Sequence, residues 1–177
     1  TEISEGILHD GEPYDAHYSY AYSKRMVDVQ IYAYKKQYDV NFCSVIPGNI
    51  FGENDNFNLR DGHVVPSLIH KCYVAKKDNT PLEVWGDGSS YREFVYAQDL
   101  AKACMQLLND VDVLPRRIIV SGEREVQIKE LVQMVSDAFG YHNVKWITDK
   151  PNGQFRRPTN KDIFRETLPG FSHTDLH

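Results

Sequence analysis

Short apolar runs alternate with longer segments in helical register along this chain, and that alternation limits its fold more than any other feature. The runs "VNFCSVI", "LEVW", "REFVY", "RRIIVSG" and "VKWIT" read as strands, the first a buried one stopped by Pro47-Gly48. From Ser19 to Tyr38, apolar or aromatic residues recur at Tyr22, Met26, Val29, Ala33 and Tyr34 with a helical period. "HVVPSLIHKCYVAKK", "AQDLAKACMQLLND" and "VQIKELVQMVSDAFG" repeat that period. Asp99 is placed to cap the second of these, and Gly140 to close the third. Strands separated by helices need crossover connections, so the expected class is α/β. The first 17 residues have no period and read as a surface loop. Residues 51 to 62 read as a polar loop, and 149 to 160 as a basic, Pro/Gly-rich one.

Composition narrows the functional classes. The chain has 41% apolar and 25% charged residues, ordinary for a soluble globular protein. A net charge of -5 and a pI near 5.8 leave no basic footprint for nucleic acid. No apolar run approaches the roughly 20 residues of a membrane span, and no signal-peptide pattern opens the chain. A cytoplasmic protein with no nucleic-acid or membrane partner is therefore expected. Cys43, Cys72 and Cys104 are odd in number, widely spaced and set in apolar or helical runs. With no C-x-x-C pair, they predict buried, reduced thiols, with no disulfide frame and no metal site.

One part of a nucleotide-binding sheet is missing. Such a sheet usually carries a Gly-rich turn after its first strand, and no G-x-G-x-x-G or G-x-x-G-x-x-G occurs here. Either the protein needs no dinucleotide, or the N-terminal half of a larger fold lies outside this chain. The helical start so close to residue 1 favours the second. Within that helix Tyr20 and Lys24 stand one turn apart on one face. A phenol is a poor acid–base group near neutral pH unless a cation favours its phenolate. Lys24 can supply that charge, and can hydrogen-bond ribose hydroxyls. On spacing alone the pair reads more readily as a packed Tyr beside a solvated Lys. His63 is similarly open: imidazole suits proton transfer near neutral pH, yet a lone His after a loop is ordinarily structural.

Several longer segments bear on that choice: "YAYSKRMVDVQIYAY", "VNFCSVIPGNIFGENDNF", "DGHVVPSLIHK", "LEVWGDGSSYREFVYAQDLA" and "KPNGQFRR". Together they resemble the extended short-chain dehydrogenase/reductases that act on nucleotide sugars. Within these they are most similar to the GDP-L-fucose synthase family, 3,5-epimerase-4-reductases of GDP-4-keto-6-deoxy-D-mannose. The resemblance runs from Tyr14 to the end of the chain. Its family-specific part is N-x-F-G-x-x-D-N-F followed by H-V-x-P-x-L-I-H-K. It implies a Rossmann-type NADP domain, a smaller α/β substrate domain, NADPH as cofactor and a homodimer. Residues 1–58 would be the C-terminal portion of the NADP-binding domain, whose N-terminal half is absent. Residues 59–177 would be mainly substrate domain, with those near 93–122 returning to the Rossmann sheet. The resemblance also places residue 1 beyond the Gly-rich turn and the C-terminus short of the family's final helix. The chain is thus expected to be an incomplete, inactive portion of the enzyme.

Roles follow from the resemblance position by position. Tyr20 matches the catalytic Tyr that protonates the C4 oxygen, and Lys24 the residue that assists it and binds the nicotinamide ribose. Pro47, Gly48, Asn49 and Ile50 match a "P-T-N-[LV]" segment at the nicotinamide end, with Gly48 in place of the usual Thr. His63 matches the general acid of C3/C5 epimerisation, also beside the cofactor. The Cys base opposite it, and the Ser of the Ser-Tyr-Lys set, match nothing here. Lys71 matches a cation near the substrate diphosphate; Trp85 and Arg92 match substrate-contacting positions. Asn152 matches one that is usually Asp. Tyr96 and Asp99 read as structural. A 4,6-dehydratase or 4-epimerase of the same superfamily would share Tyr20 and Lys24 without needing His63 or the "DNF" block. From a different class, an inactive NADP-binding protein is the alternative.

Overall fold

The computed structural model describes residues 2–150 and 152–176. After short 3-10 turns at Glu5–Ile7 and Asp15–His17, the chain forms α1 (Tyr18–Tyr38), β1 (Ser44–Pro47), β2 (Asn49–Phe51) and α2 (Val64–Asp78). It continues through β3 (Leu82–Trp85), β4 (Tyr91–Tyr96), α3 (Ala97–Asp110) and β5 (Arg117–Val120). The last elements are β6 (Glu125–Gln127), α4 (Ile128–Phe139), β7 (Val144–Ile147) and α5 (Asp162–Thr167). Pairs β1–β5, β2–β4 and β3–β7 are parallel, as intervening helices demand, and β4–β6 is antiparallel. The α/β class expected from the alternation is the one observed. The elements absent from that reading, β2, β6 and α5, have three, three and six residues, too few to display a period.

Apolar packing falls into two clusters. In the first, Leu68, Cys72 and Ala75 of α2 and Leu131, Val132 and Val135 of α4 pack with Leu82 and Val84 of β3. In the second, Ala103 and Leu107 of α3 and Phe164 of α5 pack with Ile118 and Val120 of β5. Gly140 closes α4 with φ 58, as expected, because a left-handed residue there costs glycine nothing. Asp99 does not cap α3. It lies buried in the first turn, where its carboxylate accepts hydrogen bonds from the Thr174 N–H at 2.7 Å and Oγ1 at 2.9 Å, tying the C-terminal segment to the helix.

One expectation about the N-terminal part needs correction, and its helix packs unusually. The helical stripe of α1 does not face a core: Tyr22, Met26, Val29 and Tyr34 are exposed, and the one buried residue of the helix is Asp28. Its carboxylate accepts from Arg117 Nε at 2.7 Å and Nη2 at 2.6 Å, from Arg116 Nη2 at 2.8 Å, and contacts His9 Nε2 at 2.8 Å. The first 17 residues are also more than a surface loop. Ile3 bridges Thr159, while buried Glu5 accepts from the Ile119 N–H at 2.9 Å and gives its carbonyl to Arg117 at 3.1 Å. Backbone and buried-polar demand along β5 draws this period-free segment onto the sheet.

Candidate active site

Tyr20 and Lys24 reach a cavity of about 1090 Å³ from the first half of α1. The strand switch Pro47–Phe51 and His63, at the start of α2, line the same cavity. The structure thus brings together, around one space, the residues expected to do proton chemistry and those expected beside a nicotinamide. Tyr20 is 64% exposed, and the Lys24 ammonium lies 5.5 Å from its ring centroid. His63 holds the N-cap position of α2 in an extended conformation, its side chain 81% exposed and Nδ1 3.8 Å from Asp55 Oδ1.

The chain switches partners within the wall. Gly48 N–H still bonds the Val120 carbonyl at 2.9 Å, after which Asn49 joins β4. Asn49 also donates its side-chain amide to the Glu93 carbonyl at 2.6 Å, so that amide is committed to the sheet. At Gly48 a Cβ would overlap the Ser121 hydroxyl, which donates to buried Glu93 at 2.8 Å. Glycine replaces the Thr of the resemblance because Ser121 occupies the space.

The remaining expected residues do not line this cavity. Trp85 ends β3 with Lys71 Nζ 5.6 Å from its ring, and Lys150 Nζ stands 5.8 Å away. Asn152 accepts the Asp87 N–H at 2.8 Å through Oδ1 and the Ser90 hydroxyl at 2.9 Å through its carbonyl. Gly86, at φ 80, permits that close approach, since a Cβ would strike the Asn152 amide. Arg92 donates to the carbonyls of Tyr91 at 2.6 Å and Gln154 at 2.7 Å. Burial, with Arg157 nearby, holds its acidity above that of a free guanidinium. Asn152 is therefore fastened to the turn after β3, and Gln154 to β4 through Arg92.

Sequence reasoning gave no role to Glu53, nor to Asp55 although it stands in the quoted D-N-F block. Glu53 lines the cavity and accepts a short hydrogen bond from the Tyr96 hydroxyl, which lowers the Glu53 pKa and raises that of Tyr96. The "GEND" acids were legible as carboxylates after a strand, but nothing in the spacing pointed them inward. Cys43, Cys72 and Cys104 are free thiols. Burial pushes Cys43 up to about 11 and raises Cys72 as well, so neither is a ready nucleophile.

A family model described as the NAD dependent epimerase/dehydratase family matches residues 4–122. The chain belongs to that family. This epimerase/dehydratase chain is similar to a GDP-L-fucose synthase of Dictyostelium discoideum, 36% identical over 98% of this chain and 55% of the relative. It is equally similar to a probable GDP-L-fucose synthase of Drosophila melanogaster, 36% identical over 98% of this chain and 57% of the relative. A crystal structure of a GDP-L-fucose synthetase from Naegleria fowleri, also solved bound to NADP, matches with a TM-score of 0.89 at 34% identity. That match covers 98% of this chain and 56% of the other. The chain spans little more than half the length of these relatives, and its parallel strand pairs belong to a Rossmann-like α/β fold. Among the described residues, no helix is long and apolar enough to cross a membrane.

Proposed function

We propose that this chain carries the proton-transfer half of a GDP-L-fucose synthase site, acting on GDP-4-keto-6-deoxy-D-mannose. One observation carries the reading: Tyr20 and Lys24 of α1, and His63 about forty residues further on, line one cavity with Pro47–Ile50. The donor set fits the nicotinamide–ribose end of NADP, because Tyr20 and Lys24 present a hydroxyl and an ammonium with no carboxylate partner among the described residues. When bound, NADPH would supply the hydride for C4.

The chain's own residues handle protons and orientation. Protons at C3 and C5 of the sugar lie α to the C4 ketone, so removing them leaves an enolate that nearby donors stabilise. His63, exposed in the cavity lining, returns a proton to carbon after each removal; the matching base is not a residue of this chain. Tyr20 then gives its proton to the C4 oxygen, and Lys24 holds a positive charge beside the ring and reaches the ribose hydroxyls. Lys71, Trp85, Arg92 and Asn152 belong to the substrate side, with Arg92 and Asn152 acting by shaping the loop.

The division into a Rossmann portion over 1–58 and a mainly substrate-binding part over 59–177, with residues near 93–122 returning to the Rossmann sheet, is part of this reading. Support comes from the two apolar clusters and from β5 lying against β1. A cytoplasmic homodimer is proposed with it, and the exposed aromatic face of α1 is open to a second subunit or to more of a longer chain. The test is NADPH consumption with GDP-4-keto-6-deoxy-D-mannose by the full-length polypeptide that carries these residues. Tyr20→Phe is expected to slow it by about 10²–10⁴-fold, the usual weight of a positioned proton donor. An unimpaired Tyr20→Phe enzyme would remove Tyr20 from the mechanism.

A further inference from the structure

Where the β1–β5 ladder ends, the chain crosses to β4: Pro47 stands opposite Val120, and two residues later Asn49 stands opposite Phe94. A buried carboxylate sits at that fork. Glu93, on β4, is 4% exposed and is not among the residues that line the cavity. It holds the fork at two points. Its carbonyl accepts the Asn49 amide at 2.6 Å, and its carboxylate accepts the Ser121 hydroxyl, the group that fills the space over Gly48.

The same carboxylate grips a distant segment. Lys161 donates to it at 2.8 Å, and Thr159 offers its hydroxyl and, at 3.4 Å, its N–H. That segment also pairs with residue 3. The Ile3 N–H bonds the Pro158 carbonyl and the Asn160 N–H bonds the Ile3 carbonyl, each at 2.8 Å. From Ile3 the chain runs through buried Glu5, fixed to the Ile119 N–H, and reaches Leu8 in the cavity lining. Residues 158–161 thus join two parts of the lining, the stretch that ends at Leu8 and the Pro47–Ile50 switch, without belonging to it.

Burial of charge shows what this arrangement supplies. The Lys161 side chain is 11% exposed and that of Glu93 4%, so both charges have left water. A buried ion pair gains little stability over an apolar pair of similar volume, and breaking it is costly. What it adds is fixed geometry. Ser121, Thr159 and Lys161 all donate to one carboxylate, so the fork cannot shift without breaking a bond to a buried charge. We propose that Glu93 and Lys161 are positioning residues for the nicotinamide end of NADPH. The pair locks residues 158–161 to the strand switch and so sets the place of Pro47–Ile50, with Ser121 as the link from carboxylate to Gly48. This rests on the GDP-L-fucose synthase reading above and adds to it residues that lie outside the cavity.

The experiment is a titration of the full-length polypeptide with NADPH, followed by nicotinamide fluorescence, with thermal unfolding measured alongside. Ser121→Ala cuts the link to Gly48 and leaves Lys161 paired. It should weaken NADPH binding about fivefold, the weight of one hydrogen bond, with little change in Tm. Thr159→Val, which also keeps both charges paired, should weaken it by a similar factor. Lys161→Met should cost about tenfold, the weight of a charge-assisted contact, and Lys161→Arg should restore most of that. Leu131→Ala, in the apolar cluster of α2 and α4, should lower Tm and leave NADPH affinity unchanged. Unaltered NADPH affinity in Ser121→Ala or in Thr159→Val overturns the proposal and leaves the reading beneath it standing. An equal loss in Leu131→Ala also overturns it, since lowered stability would then explain the effect. If the unmodified polypeptide binds no NADPH, both the proposal and the reading fall.

Discussion

The helix that bears Tyr20 and Lys24 and the layer that bears Trp85 are held by different forces. Around α2, α4 and β3, side chains such as Leu68, Cys72, Leu82 and Leu131 close a continuous apolar core. Along α1 no apolar side chain is buried, and a single carboxylate gripped by two arginines and a histidine fastens the helix to β5. Apolar packing is insensitive to pH and tolerant of repacking, whereas a buried ion cluster fails when one partner is lost. Tyr20 and Lys24 thus ride on the element with the less tolerant anchor, while His63 stands at the start of α2 in the apolar layer.

The sharpest way to break this contrast is Asp28→Asn. Removing one member of a buried ion cluster costs about 3–5 kcal/mol, and denaturant unfolding should show it. Amide exchange should show α1 losing protection while α2 and α4 keep theirs; uniform loss would erase the distinction between the two regions. Leu82→Ala should cost about 2–5 kcal/mol by opening a cavity in the apolar layer, and should lower protection of α2 and α4 first. Gly48→Thr should cost about 1–3 kcal/mol, because the added side chain displaces the Ser121 hydroxyl from its place by Glu93. The pair Gly48→Thr with Ser121→Ala should recover part of that loss.

Acid sharpens the same comparison. The Arg117 hydrogen bond, then those of His9 and Arg116, hold the Asp28 carboxyl far below the usual carboxylate range. A depressed folded-state value means the stabilisation is fully present above the unfolded value, about 4. It is lost as pH falls from there towards the folded value. Thermal unfolding between about pH 6 and 2 should therefore show a steeper fall for the unmodified chain than for Asp28→Asn. The smallest effect is expected from Tyr32→Leu, which removes the ring 4.4 Å from the Arg116 guanidinium at an exposed site and costs about 0.5–1 kcal/mol.

Much of this molecule could be read from its residues. The long helices and the four-residue strands announced themselves by period and punctuation, and Gly140 ended α4 as its type requires. β2, β6 and α5 were too short to do so. Asp28 was invisible because a charge inside an aromatic helix reads as a solvent-facing position, and its partners lie 19, 88 and 89 residues away. Glu5 stayed hidden for the same reason, since its backbone partner Ile119 is 114 residues distant. At the candidate site, Tyr20, Lys24 and His63 stood out only through the family resemblance, since their spacing alone reads as structural, and the structure adds that they share a cavity. The approach of Lys150 to Trp85 was not legible, because it depends on β3 and β7 being neighbours, which no local pattern encodes.

The most direct test of the proposed division of labour is the sugar product formed from GDP-4-keto-6-deoxy-D-mannose and NADPH by a His63→Gln variant of the full-length polypeptide. The account predicts that GDP-L-fucose disappears while some reduction persists, leaving unepimerised or partly epimerised sugar, because Tyr20 and Lys24 remain in place. Undiminished formation of GDP-L-fucose without the imidazole would contradict it.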